Sequence, residues 1–204
     1  MNQTLDAIDG KQARRTGASS PLGMLLDHGS DSMSATILIL TLVQGVALGR
    51  NWNLFISQFC ILGVFYFASW EEYYLKKTRT QIGVFGVTEG QFVHMSVLMI
   101  SAIWGEQFFN GNYIFGISYA TITIAGNVAF ALLMIGSVLR DNWKECSDPI
   151  KASIDLVPFV FHQLLLAFWY QTSLYDDYIW LIVFLDGIVF SKMVCKLLIC
   201  ACAE

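Results

Sequence analysis

Charge is scarce in this sequence: only 14% of its 204 residues are Asp, Glu, Lys or Arg, where a soluble domain normally carries about 25%. Together with 55% hydrophobic residues and a mean hydropathy of +0.55, that shortage excludes an ordinary soluble domain and points to a membrane protein. Proline is nearly missing, with three residues, and the sixteen glycines interrupt long apolar runs without a repeat. Disorder, a collagen-like chain and a solenoid are thereby excluded. The five cysteines (Cys60, Cys146, Cys195, Cys200 and Cys202) include no CxxC pair and have no His at zinc-finger spacing, so neither a structural metal site nor a disulfide framework is expected. They read as packing residues, although S-palmitoylation of the last three is conceivable at a membrane boundary. Bases are also outnumbered, twelve Lys plus Arg against sixteen Asp plus Glu for a net charge of -4, which leaves no basic field for nucleic acid. A signal peptide is not visible either, since MNQTLDAIDG has neither a basic nor an apolar region.

What the chain has in abundance is apolar length. A spanning helix needs roughly 20 mostly apolar residues to cross about 30 Å of hydrocarbon. Six such runs are expected, approximately at Ser32 to Leu48, Leu54 to Trp70, Val84 to Phe109, Tyr113 to Leu139, Ala152 to Thr172 and Tyr178 to Ala203. The fold expected is an all-α polytopic transmembrane helix bundle, with residues 1–31 as a motif segment at the membrane edge and 32–204 as the bundle, together one domain. Trp52, Trp70, Tyr73, Tyr113, Trp143, Tyr170 and Tyr178 mark the ends, as aromatic residues do near headgroups. All but one of the twelve Lys and Arg fall on one side of this alternation, the exception being Arg50. The positive-inside rule then puts both termini in the cytosol.

The chemistry concentrates in residues 6–31, DAIDGKQARRTGASSPLGMLLDHGSD. On a helix, Asp6, Asp9, Gly10 and Ala13 share one face, and Asp27 and Asp31 share a face of the next. The stretch Thr16 to Pro21 between them suits a hairpin that brings the two faces together. Four carboxylates offer hard oxygen ligands, suited to Mg²⁺ or Mn²⁺ rather than zinc, and two such ions would balance them. Paired metals roughly 3.5 to 4 Å apart are a recurrent device of phosphoryl chemistry. Gly10 and Ala13 leave room for a diphosphate, and Arg14 can reach a phosphate oxygen with its fork. The bland alternative is a solvated segment in which these carboxylates pair with Lys11, Arg14 and Arg15.

The full arrangement is more specific than its parts. The sequence fits D-x2-D-G-x2-A-R-x8-G-x3-D-x3-D at eight fixed positions: Asp6, Asp9, Gly10, Ala13, Arg14, Gly23, Asp27 and Asp31. This pattern resembles the signature of the CDP-alcohol phosphotransferase family, and DAIDGKQARRT, SSPLG, DHG and the later TEGQ at Thr88 to Gln91 resemble its eukaryotic choline and ethanolamine phosphotransferase branch. The resemblance implies transfer of phosphocholine or phosphoethanolamine from CDP-choline or CDP-ethanolamine to diacylglycerol, releasing CMP at the cytosolic face of the endoplasmic reticulum or Golgi. It implies that Asp6, Asp9, Asp27 and Asp31 hold the metals, and that Gly10, Ala13, Arg14 and Gly23 shape the nucleotide and diphosphate site. An alcohol needs a base to accept its proton. Asp31 is the first candidate by the family's pattern and His28 the second, with a hydrogen bond to a neighbouring carboxylate as the bland role for His28.

Two departures bear on this reading. Family members carry more apolar helix ahead of the motif, whereas Asp6 follows five residues, so a short isoform, a truncated gene model or a fragment is expected. Many relatives carry Glu where Met24 stands. A non-catalytic membrane subunit pairing with a full-length relative is therefore the runner-up reading, a homodimer or heteromer is expected in either case, and a transporter ranks third. Glu89, His94, Glu106, Gln107, Asp155, His162, Gln163 and Asp186 lie in or beside apolar helices. Interhelical hydrogen bonding is the preferred role for each, ahead of lining an acceptor chamber. Pro158 is expected to kink its helix, and Gly116, Ala120 and Gly126 to allow close helix contact.

Overall fold

The computed structural model describes residues 11–13, 15–18, 20–46, 52–77, 81–82, 85–111 and 113–203. Helices dominate it. In chain order they are α1 (Pro21–Gly45), α2 (Trp52–Leu75), α3 (Val87–Trp104), α4 (Phe108–Gly111), α5 (Tyr119–Glu145), α6 (Pro149–Ile154), α7 (Val157–Tyr170) and α8 (Ser173–Ala203). Two antiparallel ladders of two residues per strand sit in the connections, β1 (Gln81–Ile82) with β2 (Phe85–Gly86), and β3 (Tyr113–Ile114) with β4 (Ile117–Ser118).

Helix boundaries follow capping chemistry more closely than hydropathy. The first apolar run is expected from Ser32, but α1 begins at Pro21 because Ser20 Oγ accepts the Gly23 N–H at 3.1 Å and proline fits the first turn. In the third stretch α3 opens where Glu89 Oε2 accepts the Gly86 N–H at 2.8 Å, and it stops at Gly105, whose φ is +83°. The fourth helix starts at Tyr119 rather than Tyr113. Phe115 and Gly116, with φ of 52° and 81°, form the tight turn between β3 and β4, and Ser118 Oγ then caps the helix at the Thr121 N–H. Gly116 is thus a turn residue, and Gly126 faces open space, so neither makes the helix contact expected of it, whereas Ala120 is buried. Pro158 lies in the first turn of α7, so the break comes before it, at Asp155 and Leu156, and no kink forms within the helix.

All six expected apolar stretches contain helix. Among the described residues, three helical segments are long and apolar enough to cross a membrane: Trp52–Leu75, Tyr119–Glu145 and Pro149–Tyr170, the last running through α6 and α7. The chain is an integral membrane protein of all-α architecture. Its main core gathers Ile39 from α1, Leu62 and Trp70 from α2, Phe159 from α7, and Phe190 and Leu198 from α8. Tyr66 stacks on Phe159 with centroids 4.7 Å apart. A smaller cluster at the far end of α1 joins Leu42 and Val46 to Val97, Phe109 and Ala120. Leu132, Leu133, Phe161, Leu164 and Phe168 point outward, as apolar side chains do when the solvent is lipid.

Candidate active site

The motif segment is shaped by its turn. Residues 11–13 and 15–16 are helical, Gly17 follows with φ of +66°, and Ala18 N–H donates to the Ala13 carbonyl at 2.9 Å. A left-handed glycine followed by that long-reaching bond is a Schellman stop. Three residues after Gly17, Ser20 caps α1. The Gly- and Ser-containing stretch thus ends one helix and starts the next, as the spacing suggests.

On α1, Asp27 and Asp31 lie one turn apart and both are half-buried, as is His28. Gly23 is exposed, and its N–H is the group that Ser20 holds. Ala13 is half-buried, and its carbonyl takes the Ala18 bond. Asp6, Asp9, Gly10 and Arg14 lie outside the described residues. Among the described residues no group of three or more His, Cys, Asp or Glu could hold a metal ion. Asp27 and Asp31 nevertheless present carboxylate oxygen alone, one turn apart, a donor set that fits a hard divalent cation and not zinc. Met24 is half-buried and packs against the main core.

Behind this segment stands α8, the helix with which α1 has its most extensive contact. Ser191 Oγ donates to the Gly29 carbonyl at 3.1 Å, and Ser32 Oγ donates to the same oxygen at 2.7 Å. A β-carbon on Gly29 would sit 3.2 Å from Cys195 Sγ. About two turns deeper, a β-carbon on Gly187 would sit 2.8 Å from Thr36 Oγ1, so only glycine lets the helices approach this closely. Gly29, between Asp27 and Asp31, is therefore a packing contact between α1 and α8.

Beside Gly187, Asp186 is 2% exposed. Its two oxygens meet Gln58 Nε2 from α2 and His162 Nε2 from α7, the latter at 2.5 Å. A buried carboxylate persists only when paired and hydrogen-bonded, and here partners come from two helices. Nearer the charged loops, Tyr74 OH donates to Asp155 Oδ2 at 2.5 Å, Tyr66 OH to the Asp155 carbonyl at 2.9 Å and Trp70 Nε1 to the Ala152 carbonyl at 2.9 Å. These bonds tie the end of α2 to the α6–α7 junction. His94 Nε2 pairs with Thr41 Oγ1 at 3.0 Å. His94, Asp155, His162 and Asp186 accordingly join helices, the role preferred for them from sequence. Glu106 and Gln107 are exposed beyond the end of α3. Gln58 and Ser191 are not legible as supporting residues from sequence, because the partner of each is far away in the chain.

The structure is that of an all-helical membrane protein with two carboxylates near the start of α1, and the comparisons with known proteins give its family. The sequence profile of the family described as CDP-alcohol phosphatidyltransferase matches residues 1–138, and the chain belongs to that family. It is 34% identical over 143 residues to a choline/ethanolaminephosphotransferase 1 of Saccharomyces cerevisiae, covering 69% of this chain and 36% of that protein. It is 47% identical over 105 residues to a cholinephosphotransferase 1 of Gallus gallus, covering 50% of this chain and 30% of that protein. A Dictyostelium discoideum protein named as an uncharacterized class-I member of the family is 36% identical over 138 residues, covering 67% of this chain and 31% of that protein. The chain spans about a third of the length of these relatives.

Proposed function

We propose that this protein transfers phosphocholine or phosphoethanolamine from CDP-choline or CDP-ethanolamine to the free hydroxyl of diacylglycerol, at the cytosolic face of the endoplasmic reticulum or Golgi. The observation that carries the reading is the eight-position motif, with Asp27 and Asp31 half-buried on one face of α1 in a chain of this family. In the step, the acceptor oxygen bonds to the phosphorus bearing the alcohol, the bond from that phosphorus to the bridging oxygen breaks, and CMP departs with the electron pair. The proton of the hydroxyl passes to Asp31, with His28 as the second candidate. Asp6, Asp9, Asp27 and Asp31 would hold two Mg²⁺ or Mn²⁺ ions. Such ions neutralise phosphate charge and stabilise the leaving oxygen. Gly10 and Ala13 would leave space for the diphosphate, Gly23 would help shape the nucleotide site, and Arg14 would grip a phosphate oxygen.

The test is transfer of label from CDP-choline or CDP-ethanolamine into diacylglycerol, in membranes containing the chain and Mg²⁺. Product is expected, together with its loss on chelation, its return with Mg²⁺ or Mn²⁺, and its abolition by Asp9→Asn. Absence of product with either metal overturns the proposal; an unchanged rate in Asp9→Asn removes the metal assignment. The second reading is a non-catalytic subunit of a full-length relative; it draws on Met24, an apolar core-packing residue at a position where the family resemblance implies a carboxylate. It predicts co-purification with that relative and no transfer by the chain itself.

A further inference from the structure

The acidic pair on α1 needs a defined rotation of its helix, because a carboxylate swung by one residue's turn, about 100°, faces a different neighbour. Helix–helix packing alone sets such a rotation loosely in a membrane, where lipid is as apolar as the side chains. Here a directional bond is present. Ser191 of α8 donates to the Gly29 carbonyl, midway between Asp27 and Asp31, although that carbonyl already accepts from Ser32. The α8 helix is held in turn by Asp186, whose oxygens are bound by Gln58 of α2 and His162 of α7. Gly187 closes against Thr36 next to it. The chain of contacts runs from two further helices, through α8, to the backbone between the two carboxylates.

We propose that Ser191 is a positioning residue for the Asp27 and Asp31 pair: by its bond to the Gly29 carbonyl it sets the rotation of α1, and the Gln58–Asp186–His162 cluster keeps α8 in place to do so. This rests on the reading of Asp27 and Asp31 as metal ligands. Ser191 lies beyond residue 138, where the match to the family profile ends, so the support comes from a part of the chain that the profile does not cover.

The experiment is Mn²⁺ binding to the purified full chain of residues 1–204, followed by electron paramagnetic resonance, with thermal unfolding measured alongside. Ser191→Ala should raise the Mn²⁺ dissociation constant by about tenfold, the low end for outer partners of metal ligands, while the unfolding temperature moves little. Ser191→Thr, which keeps the hydroxyl, should restore most of the affinity. Asp27→Asn serves as the control for the metal site. If the unsubstituted chain binds Mn²⁺ and Asp27→Asn does not, but Ser191→Ala binds as tightly as the unsubstituted chain, the positioning role is overturned and the metal reading stands. If Asp27→Asn leaves Mn²⁺ binding intact, or the unsubstituted chain does not bind, both fall. A loss of affinity in Ser191→Ala that Ser191→Thr does not restore also overturns the role of the hydroxyl.

Discussion

At the scale of single residues, Asp186 is a buried carboxylate tied to two other helices. Its side chain is fully enclosed and answers two donors from different helices. Removing it strands both donors in the interior, and breaking such a buried pairing costs about 3 kcal/mol or more. Asp186→Ala should therefore lower the unfolding temperature sharply in detergent. Replacing all three members together, Gln58→Leu, His162→Phe and Asp186→Leu, should lose less than the single change, because no polar group is then left without a partner. A triple variant less stable than Asp186→Ala would show that the three side chains do not act as a unit. Gly29 makes a related point by smallness: its missing β-carbon admits Cys195, and its carbonyl collects two hydroxyl donors.

Among elements, the start of α1 decides where the acidic pair stands. Ser20 holds the Gly23 N–H, and Gly17 ends the preceding helix in a left-handed conformation. Replacing Ser20 with Ala removes an N-cap worth about 1 kcal/mol. Amide hydrogen exchange over the first turn of α1 should then quicken several-fold, while exchange in α5 stays unchanged; equal protection in the first turn would show that the cap is not what holds it. The end of α2 is fastened differently, by Tyr66, Trp70 and Tyr74 to the α6–α7 junction. The nearby ion pair of Lys77 with Glu145 is largely exposed and contributes little.

For the whole molecule, the asymmetry of Lys and Arg predicts which way the bundle sits. With cysteines placed singly at Lys144 and Arg50 in a cysteine-free background, an impermeant thiol reagent applied to intact cells should reach position 50. Position 144 should react only after the membrane is opened. Labelling of position 144 in intact cells would reverse the orientation and move the acidic motif to the opposite face. The same arrangement puts the ends of α2 and α5 beside one another.

The class of fold and the family were legible from residue order, because apolar length and motif spacing are local properties that survive without knowledge of neighbours. Eight motif positions in 26 residues carry the family, and the match to residues 1–138 agrees with them. Element ends were legible less well: hydropathy places a span in lipid, but Ser20, Glu89 and Ser118 place the helix start, and α1 begins well before its apolar run. The tertiary structure alone decided that Ser191 meets Gly29 and that Gln58 meets Asp186. Those partners are separated by 162 and 128 residues, and no local periodicity specifies which distant helix turns which side chain toward which carbonyl.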